Sequence, residues 1–337
     1  MKKNIVFALV LIVAAISVSF VVYRKSLRSI VHSKPEKVVV LLDWTPNTNH
    51  TGLYVADNLG YYKDQNLDVE IIQPTEGEVP QLVAVGRADF AVSAQEEVTF
   101  ARAKGMPVVS IAAILQHNTS TFTSLKSAGI RTARDFEDKR YGGWGTPIAI
   151  AMQKALMKKA GGDFDKVQQI TIGSTDPIST LGRDADIQWV FYGWEGIDAK
   201  LRGIELNHIW LKDADPAFDY YTPVIITSKK KTSEQKDLVR RFMTATSLGY
   251  EYAASHPEAA STILIKAAPE LNKKLVFESQ KWLSSRYQDG EYQWGMQKEV
   301  VWNRYASWLY KQGLISKKID AKSAFTNEFL PTVKVNE

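Results

Sequence analysis

Residues 38–59 read Val38-Val39-Val40-Leu41-Leu42-Asp43-Trp44-Thr45-Pro46-Asn47-Thr48-Asn49-His50-Thr51-Gly52-Leu53-Tyr54-Val55-Ala56-Asp57-Asn58-Leu59. The five opening residues are an unbroken apolar run of strand length, which suits a strand covered on both faces of a sheet. A polar loop carrying one indole follows, and 52–59 then has the apolar spacing of a helix. The next strand-like run is 67–72. Strand, helix and strand at this spacing form a parallel crossover unit, the building block of an α/β protein.

Outward from that unit the pattern continues, with a helix over 79–85, a strand over 89–92, a helix over 96–103 and an apolar strand over 108–115. In open α/β sheets ligands sit beyond the carboxyl ends of the strands, so the loops 43–50, 93–96 and 116–123 are expected to share one rim. A second series starts near Arg140. Tyr141-Gly142-Gly143-Trp144-Gly145-Thr146 leads into Pro147, with Thr146 as cap and Pro147 in the first turn of a helix to about Lys159. Strands over 168–172 and 187–192 follow, and 220–227 is read as the return toward the first half. Leu238, Phe242, Ala245, Gly249 and Tyr252 fall on one helical stripe, as do Trp302, Tyr305 and Leu309. Aromatic stripes of this kind are read as core and packing surfaces.

With 337 residues and 45% hydrophobic content the chain has material for two compact lobes. Its net charge of +5 is confined to the start: residues 1–37 carry seven Lys or Arg against the single acid Glu36, leaving about −1 for the remainder. Gripping a phosphate backbone needs a clustered cationic surface, so nucleic acid is not expected as a partner. The absence of cysteine excludes disulfides, thiolate metal sites, cysteine nucleophiles and cysteine-linked lipid. Lys2 and Lys3 precede an uncharged stretch whose apolar heart, Ile5 to Val22, is 18 residues long and is followed by Arg24, Lys25 and Arg28. That length nearly matches a hydrocarbon core of roughly 30 Å, so residues 1–37 read as an uncleaved anchor and linker at the cell membrane, with cleavage after Ser19 as the other reading. Basic residues flank both ends and set no orientation, so a body outside is expected only from the binding role implied below.

The segment 41–56 closely resembles the opening of the thiamine-pyrimidine binding family, which includes the formylaminopyrimidine-binding component of an ABC importer and a fungal pyrimidine synthase. The likeness continues through Gly60-Tyr61-Tyr62, residues 86–93, Gln95-Glu96, residues 136–145 and Trp194-Glu195-Gly196. The resemblance implies a two-lobed α/β periplasmic-binding-protein fold of the two-crossover type, a ligand pinched between the lobes, and hinge closure on binding. One lobe is expected from 38–125 with 226–330 and the other from 126–225. An ABC permease and ATPase are the implied partners. The synthase branch carries a run of cysteines that this chain lacks, which counts against synthesis; no cofactor and no metal are expected.

Within that frame Trp44 and Tyr54 offer flat faces to a heteroaromatic ring, and stacking contributes on the order of 0.5–1.5 kcal/mol beyond area burial. Micromolar capture needs about −8 kcal/mol, so polar anchors must add to it. Glu195, between Trp194 and Gly196 at a strand end, is the expected anchor for an exocyclic amine and a protonated ring nitrogen. Asn47 and His50 are candidates for ligand edges, although Pro46-Asn47 also suits a plain turn and His50 a helix cap. Ser93, Gln95 and Glu96 are candidates from the opposite wall, with helix capping as their other reading. Gly143, Trp144, Gly145 and Thr146 can offer backbone N–H groups at a helix start. Asn118 and Tyr192 complete the set. The ligand alternatives are an aminopyrimidine thiamine precursor or another heterocycle such as riboflavin; an enzyme of the synthase kind would use His50 as its reactive side chain.

Overall fold

The computed structural model describes residues 34–73, 79–173, 175–288, 290 and 293–332. The anchor expected over residues 1–37 lies almost wholly outside them, and among the described residues no helix is long and apolar enough to cross a membrane. Its last two residues, Glu36 and Lys37, already belong to the first strand.

The strands are β1 (Glu36–Leu41), β2 (Leu67–Ile72), β3 (Phe90–Ser93), β4 (Val108–Ala113), β5 (Ser120–Leu125), β6 (Arg140–Gly143), β7 (Gln168–Thr171), β8 (Ile187–Phe191), β9 (Leu206–Trp210) and β10 (Val224–Ser228). They form two five-stranded sheets, ordered β2-β1-β3-β10-β4 and β7-β6-β8-β5-β9. The two sheets follow one plan. β1 is parallel to β2 and β3 while β10 runs antiparallel between β3 and β4. Likewise β6 is parallel to β7 and β8 while β5 runs antiparallel between β8 and β9. Each sheet thus receives its antiparallel strand just after the chain has crossed from the other, first at residues 114–119 and again at residues 211–223.

One sequence expectation changes, and one strand is new. The segment 116–123, read as a rim loop, is a loop only to Thr119: Ser120 onward is β5, and it pairs in the second sheet, so the first crossing falls before Ser120 and not after residue 125. Its side chains Ser120-Thr121-Phe122-Thr123-Ser124 are all buried, yet mostly hydroxylic, so hydropathy gave no strand signal. β9 was also unassigned, because Leu206-Asn207-His208-Ile209-Trp210 is half-buried throughout and lacks clean alternation.

The principal helices are α1 (Thr51–Asn58), α2 (Val79–Ala84), α3 (Gln95–Ala103), α4 (Pro147–Ala160), α5 (Lys236–Ser255), α6 (Pro257–Ala267), α7 (Lys273–Leu283) and α8 (Glu299–Lys311). The stripe on α5 packs its Phe242 ring flat on Phe90 of β3, with centroids 3.8 Å apart. Next to it α5 crosses α1 at two glycines. A Cβ on Gly249 would stand 2.1 Å from the Gly52 carbonyl oxygen and 2.9 Å from Ala56 Cβ. A Cβ on Gly52 would lie 2.2 Å from the Tyr250 ring. The second sheet is centred on Phe122, met edge-on by Phe136 and Tyr141. α8 joins the two halves: Trp302 packs in the core beside β3, β4 and β10, while Tyr305 and Leu309 pack in the core of the second sheet. The outer edge of β4 is covered by the C-terminal segment, since Ser110 N–H donates to Ala324 O and Ala113 N–H to Gly295 O. Covering a buried edge satisfies its backbone donors and prevents pairing with another chain.

Candidate functional site

Because β1 and β3 are parallel in one sheet, and β6 and β8 in the other, each half presents strand ends carrying the sequence-selected residues. The loop after β1 is tied to itself. Asn47 Oδ1 accepts from Asn49 N–H at 2.9 Å and its Nδ2 donates to Thr45 O at 3.0 Å. His50 Nδ1 accepts from Asn47 N–H at 3.1 Å, which leaves Nε2 to donate to Asp43 Oδ1 at 2.7 Å. Both side chains are buried and satisfied. They shape the loop as a reciprocal cap of the turn Thr48–His50. What the loop presents outward is Trp44, 50% exposed. Tyr54, one turn into α1, is half-buried, and its phenol is pushed up to about 12 by burial and then by Glu270.

Ser93 and the start of α3 serve the junction of the halves. Ser93 Oγ donates to Glu97 at 2.5 Å. Gln95 accepts from Tyr221 N–H at 2.9 Å, tying α3 to the second crossing segment. None of the three caps α3 through its side chain; the cap position is Ala94. Glu96 accepts from the Tyr220 hydroxyl at 3.2 Å, and the Tyr220 ring stacks on Tyr305 of α8 at 4.3 Å. Burial, followed by the neighbouring Glu97 charge, lifts the Glu96 carboxyl to about 7.

The sign of that lift makes a test. In the unfolded chain the group titrates near 4.5, so between about 4.5 and 7 the folded state holds the extra proton. Stability therefore falls as pH rises through this window and levels off above it. Glu96→Gln is expected to remove this share of the slope and to stabilise the protein at pH 8 by about 1–3 kcal/mol. Urea unfolding of both proteins at pH 5 and pH 8 checks it; an unchanged slope would place the Glu96 carboxyl in contact with water.

Asn118 is buried in the first crossing segment. Its Oδ1 accepts from Ser120 N–H at 2.8 Å and its Nδ2 donates to Phe218 O at 2.8 Å, so it fastens the two crossings together. In the second half Trp144, directly after β6, is 65% exposed. Gly143 is buried, and a Cβ there would sit 2.8 Å from the Tyr141 ring; Gly145 has φ +68°, which favours glycine. Thr146 holds the cap position of α4 with Pro147 behind it, but its side chain makes no cap hydrogen bond.

Residues Tyr192–Gly196 form one turn of π-helix at the end of β8. Glu195 Oε2 accepts from Phe191 N–H at 3.0 Å. Burial, with Asp176 and Asp198 adding like charge, raises its carboxyl to about 7. The Tyr192 ring belongs to an aromatic cluster, 5.0 Å from His208, 5.1 Å from Trp210 and 5.0 Å from Trp282.

The link between the two halves is one that hydropathy and motif reading missed. Ser279 of α7 donates to Gly193 O, so the hydroxyl contact at 2.5 Å requires Thr48 to donate to Ser279. The loop bearing Trp44 and the turn bearing Glu195 are thereby held by one serine. A lone Ser in an amphipathic helix carries no sequence signal for this. Tyr250 and Tyr287 steady the same loop through its carbonyls at Asn49 (2.8 Å) and Thr48 (2.7 Å). Among the described residues no group of three His, Cys, Asp or Glu is placed to hold a metal ion.

Two five-stranded sheets joined by reciprocal crossings define a two-lobed periplasmic-binding-protein fold. The ligand-binding component of an ABC-type import system from Staphylococcus aureus has the same fold, with a TM-score of 0.67 at 13% identity over 87% of this chain and 97% of that one. The profile of the NMT1/THI5-like family matches residues 47–260, and the chain belongs to that family. It is 28% identical over 310 residues to the formylaminopyrimidine-binding protein of Halalkalibacterium halodurans, covering 87% of this chain and 90% of the relative. It is also 27% identical over 313 residues to the 4-amino-5-hydroxymethyl-2-methylpyrimidine phosphate synthase of Legionella pneumophila, covering 89% and 94%. The family resemblance noted in the sequence is thus correct, and both binders and synthases are among the chain's relatives.

Proposed function

We propose that this protein is the extracytoplasmic substrate-binding component of an ABC importer, taking an aminopyrimidine thiamine precursor of the formylaminopyrimidine kind between its lobes. The observation that carries the reading is that Ser279 ties the loop bearing Trp44 to the turn bearing Glu195, through Thr48 on one side and Gly193 on the other. An indole supplies a stacking face. A carboxyl titrating near 7 can hold a proton for a ring nitrogen while its other oxygen accepts from the adjacent exocyclic amine. The binding relative from Halalkalibacterium halodurans supports the ligand class. The apolar run 5–22 supports a tether that keeps the binder near its permease in a chain without cysteine.

Binding is favoured over synthesis because the enzymatic alternative needs a reactive His50. Both nitrogens of that buried ring are engaged, by Asn47 N–H and by Asp43. Calorimetry with formylaminopyrimidine is expected to give a dissociation constant of micromolar order or tighter, about −8 kcal/mol. Glu195→Gln should weaken it by about 1.5–3 kcal/mol and flatten the change in affinity between pH 6 and 8. No heat with this ligand would reject the substrate assignment, whereas a fully active Glu195→Gln would reject the anchor alone.

A further inference from the structure

A cavity of about 480 Å³ opens at the hinge edge of the molecule, where the first crossing segment, the end of β9 and the end of α7 meet. Of the candidate ligand residues Asn118 lines it, with its side-chain groups already engaged by Ser120 and Phe218, whereas Trp44, Trp144 and Glu195 do not. Its walls include Trp210 and Lys212 from one lobe and Trp282 and Arg286 from the other. The volume falls within the range of sites for small organic molecules, roughly 300–1,000 Å³.

The charges around it do not balance locally. Lys212 is paired with Asp213 at 2.7 Å, and His117 with Asp219 at 2.7 Å. Arg286 lies flat over the Trp282 ring, 3.6 Å from its centroid, and donates through Nη1 to Trp282 O and Ser285 Oγ. Among the described residues no carboxylate pairs with it. Its position is also partly shielded from water, which pulls the guanidinium below its ordinary value. A cation held on an aromatic wall, partly desolvated and with no counter-charge among the described residues, is costly unless an anion joins it. Indoles on either side meanwhile favour a flat apolar body: Trp210 and Trp282 lie at 18° to each other with centroids 6.5 Å apart, and Tyr192 closes the cluster.

We propose that this hinge-edge cavity is a second binding site, for a small planar aromatic anion such as an aryl carboxylate, with Arg286 binding the acid and Trp210 and Trp282 the ring. The guanidinium fork matches a carboxylate in geometry as well as charge. The site shares none of Trp44, Trp144 and Glu195 with the proposed pyrimidine cleft, so either assignment can fail without the other.

The probe is 2-naphthoate, with naphthalene-2-methanol as its uncharged counterpart, titrated calorimetrically into the full chain. One equivalent of naphthoate is expected to bind, at least tenfold more tightly than the alcohol. Arg286→Gln should weaken naphthoate at least tenfold while leaving formylaminopyrimidine unaffected, and Trp44→Ala should leave naphthoate binding unchanged. The proposal is overturned if naphthoate gives no binding, if the alcohol binds equally well, or if Trp44→Ala abolishes naphthoate binding and Arg286→Gln does not. The comparison of naphthoate with the alcohol uses the wild-type protein and stands even if the arginine variant does not fold.

Discussion

Gly249→Ala is expected to destabilise the protein by about 3 kcal/mol, with a fall in Tm of roughly 5–10 °C. Helix propensity alone predicts the opposite sign, since alanine is favoured over glycine by about 1 kcal/mol inside a helix. Packing decides against propensity here. The added Cβ would lie 2.1 Å from the Gly52 carbonyl oxygen, and the atom in its way belongs to the backbone of α1, which has no rotamer to change. α1 must therefore move away from α5. Its first residue, Thr51, follows directly on the self-tied loop, and Tyr250, the residue after Gly249, holds that loop through Asn49 O. Loss of pyrimidine affinity is expected alongside the loss of stability. Thermal and urea unfolding check the first effect, and a variant as stable as wild type or more so would show that the two helices are not in close contact.

Trp44→Ala should have the reverse profile, with little change in stability and about 2–3 kcal/mol lost in binding, roughly 30- to 150-fold. The side chain is half-exposed in the free protein, and truncations at such positions usually change stability by no more than about 0.5 kcal/mol. Bound to a flat heterocycle the indole would bury much of its area and add a stacking contribution of about 0.5–1.5 kcal/mol. Trp44→Phe should recover most of the affinity. Calorimetry on the three proteins checks this, and undiminished binding by the alanine variant would remove Trp44 from the cleft wall.

Much of the architecture was legible in the order of residues because apolar runs and their periods report burial directly. The run at 38–42, the helix starting after His50 and the strand at 67–72 correspond to β1, α1 and β2 within two residues. The helical stripes ending at Tyr252 and Leu309 likewise lie on α5 and α8. β5 was not legible, since its buried side chains are mostly hydroxyls satisfied by specific partners near and far: Ser120 donates to Asn118 Oδ1, Ser124 donates to Ile130 O, and Thr123 meets His208. A sequence window registers such residues as polar, so the first crossing was placed too late.

The candidate site divides in the same way. Residue types and spacing by themselves determined that Trp44 and Glu195 sit at strand ends, and Trp144 in the turn before a helix, of an α/β protein with no cysteine chemistry. Tertiary structure alone decided which of the candidates are free to meet a guest. Asn47, His50 and Asn118 look like ligand donors in the sequence, yet their hydrogen-bonding groups are used within the loops they shape. Ser279 and Arg286 look ordinary there, but one ties the two lobes together and the other faces a cavity with no carboxylate paired to it among the described residues. The physical reason is that hydrogen-bond satisfaction and charge compensation are properties of partners in space, and those partners lie up to 239 residues apart in the chain.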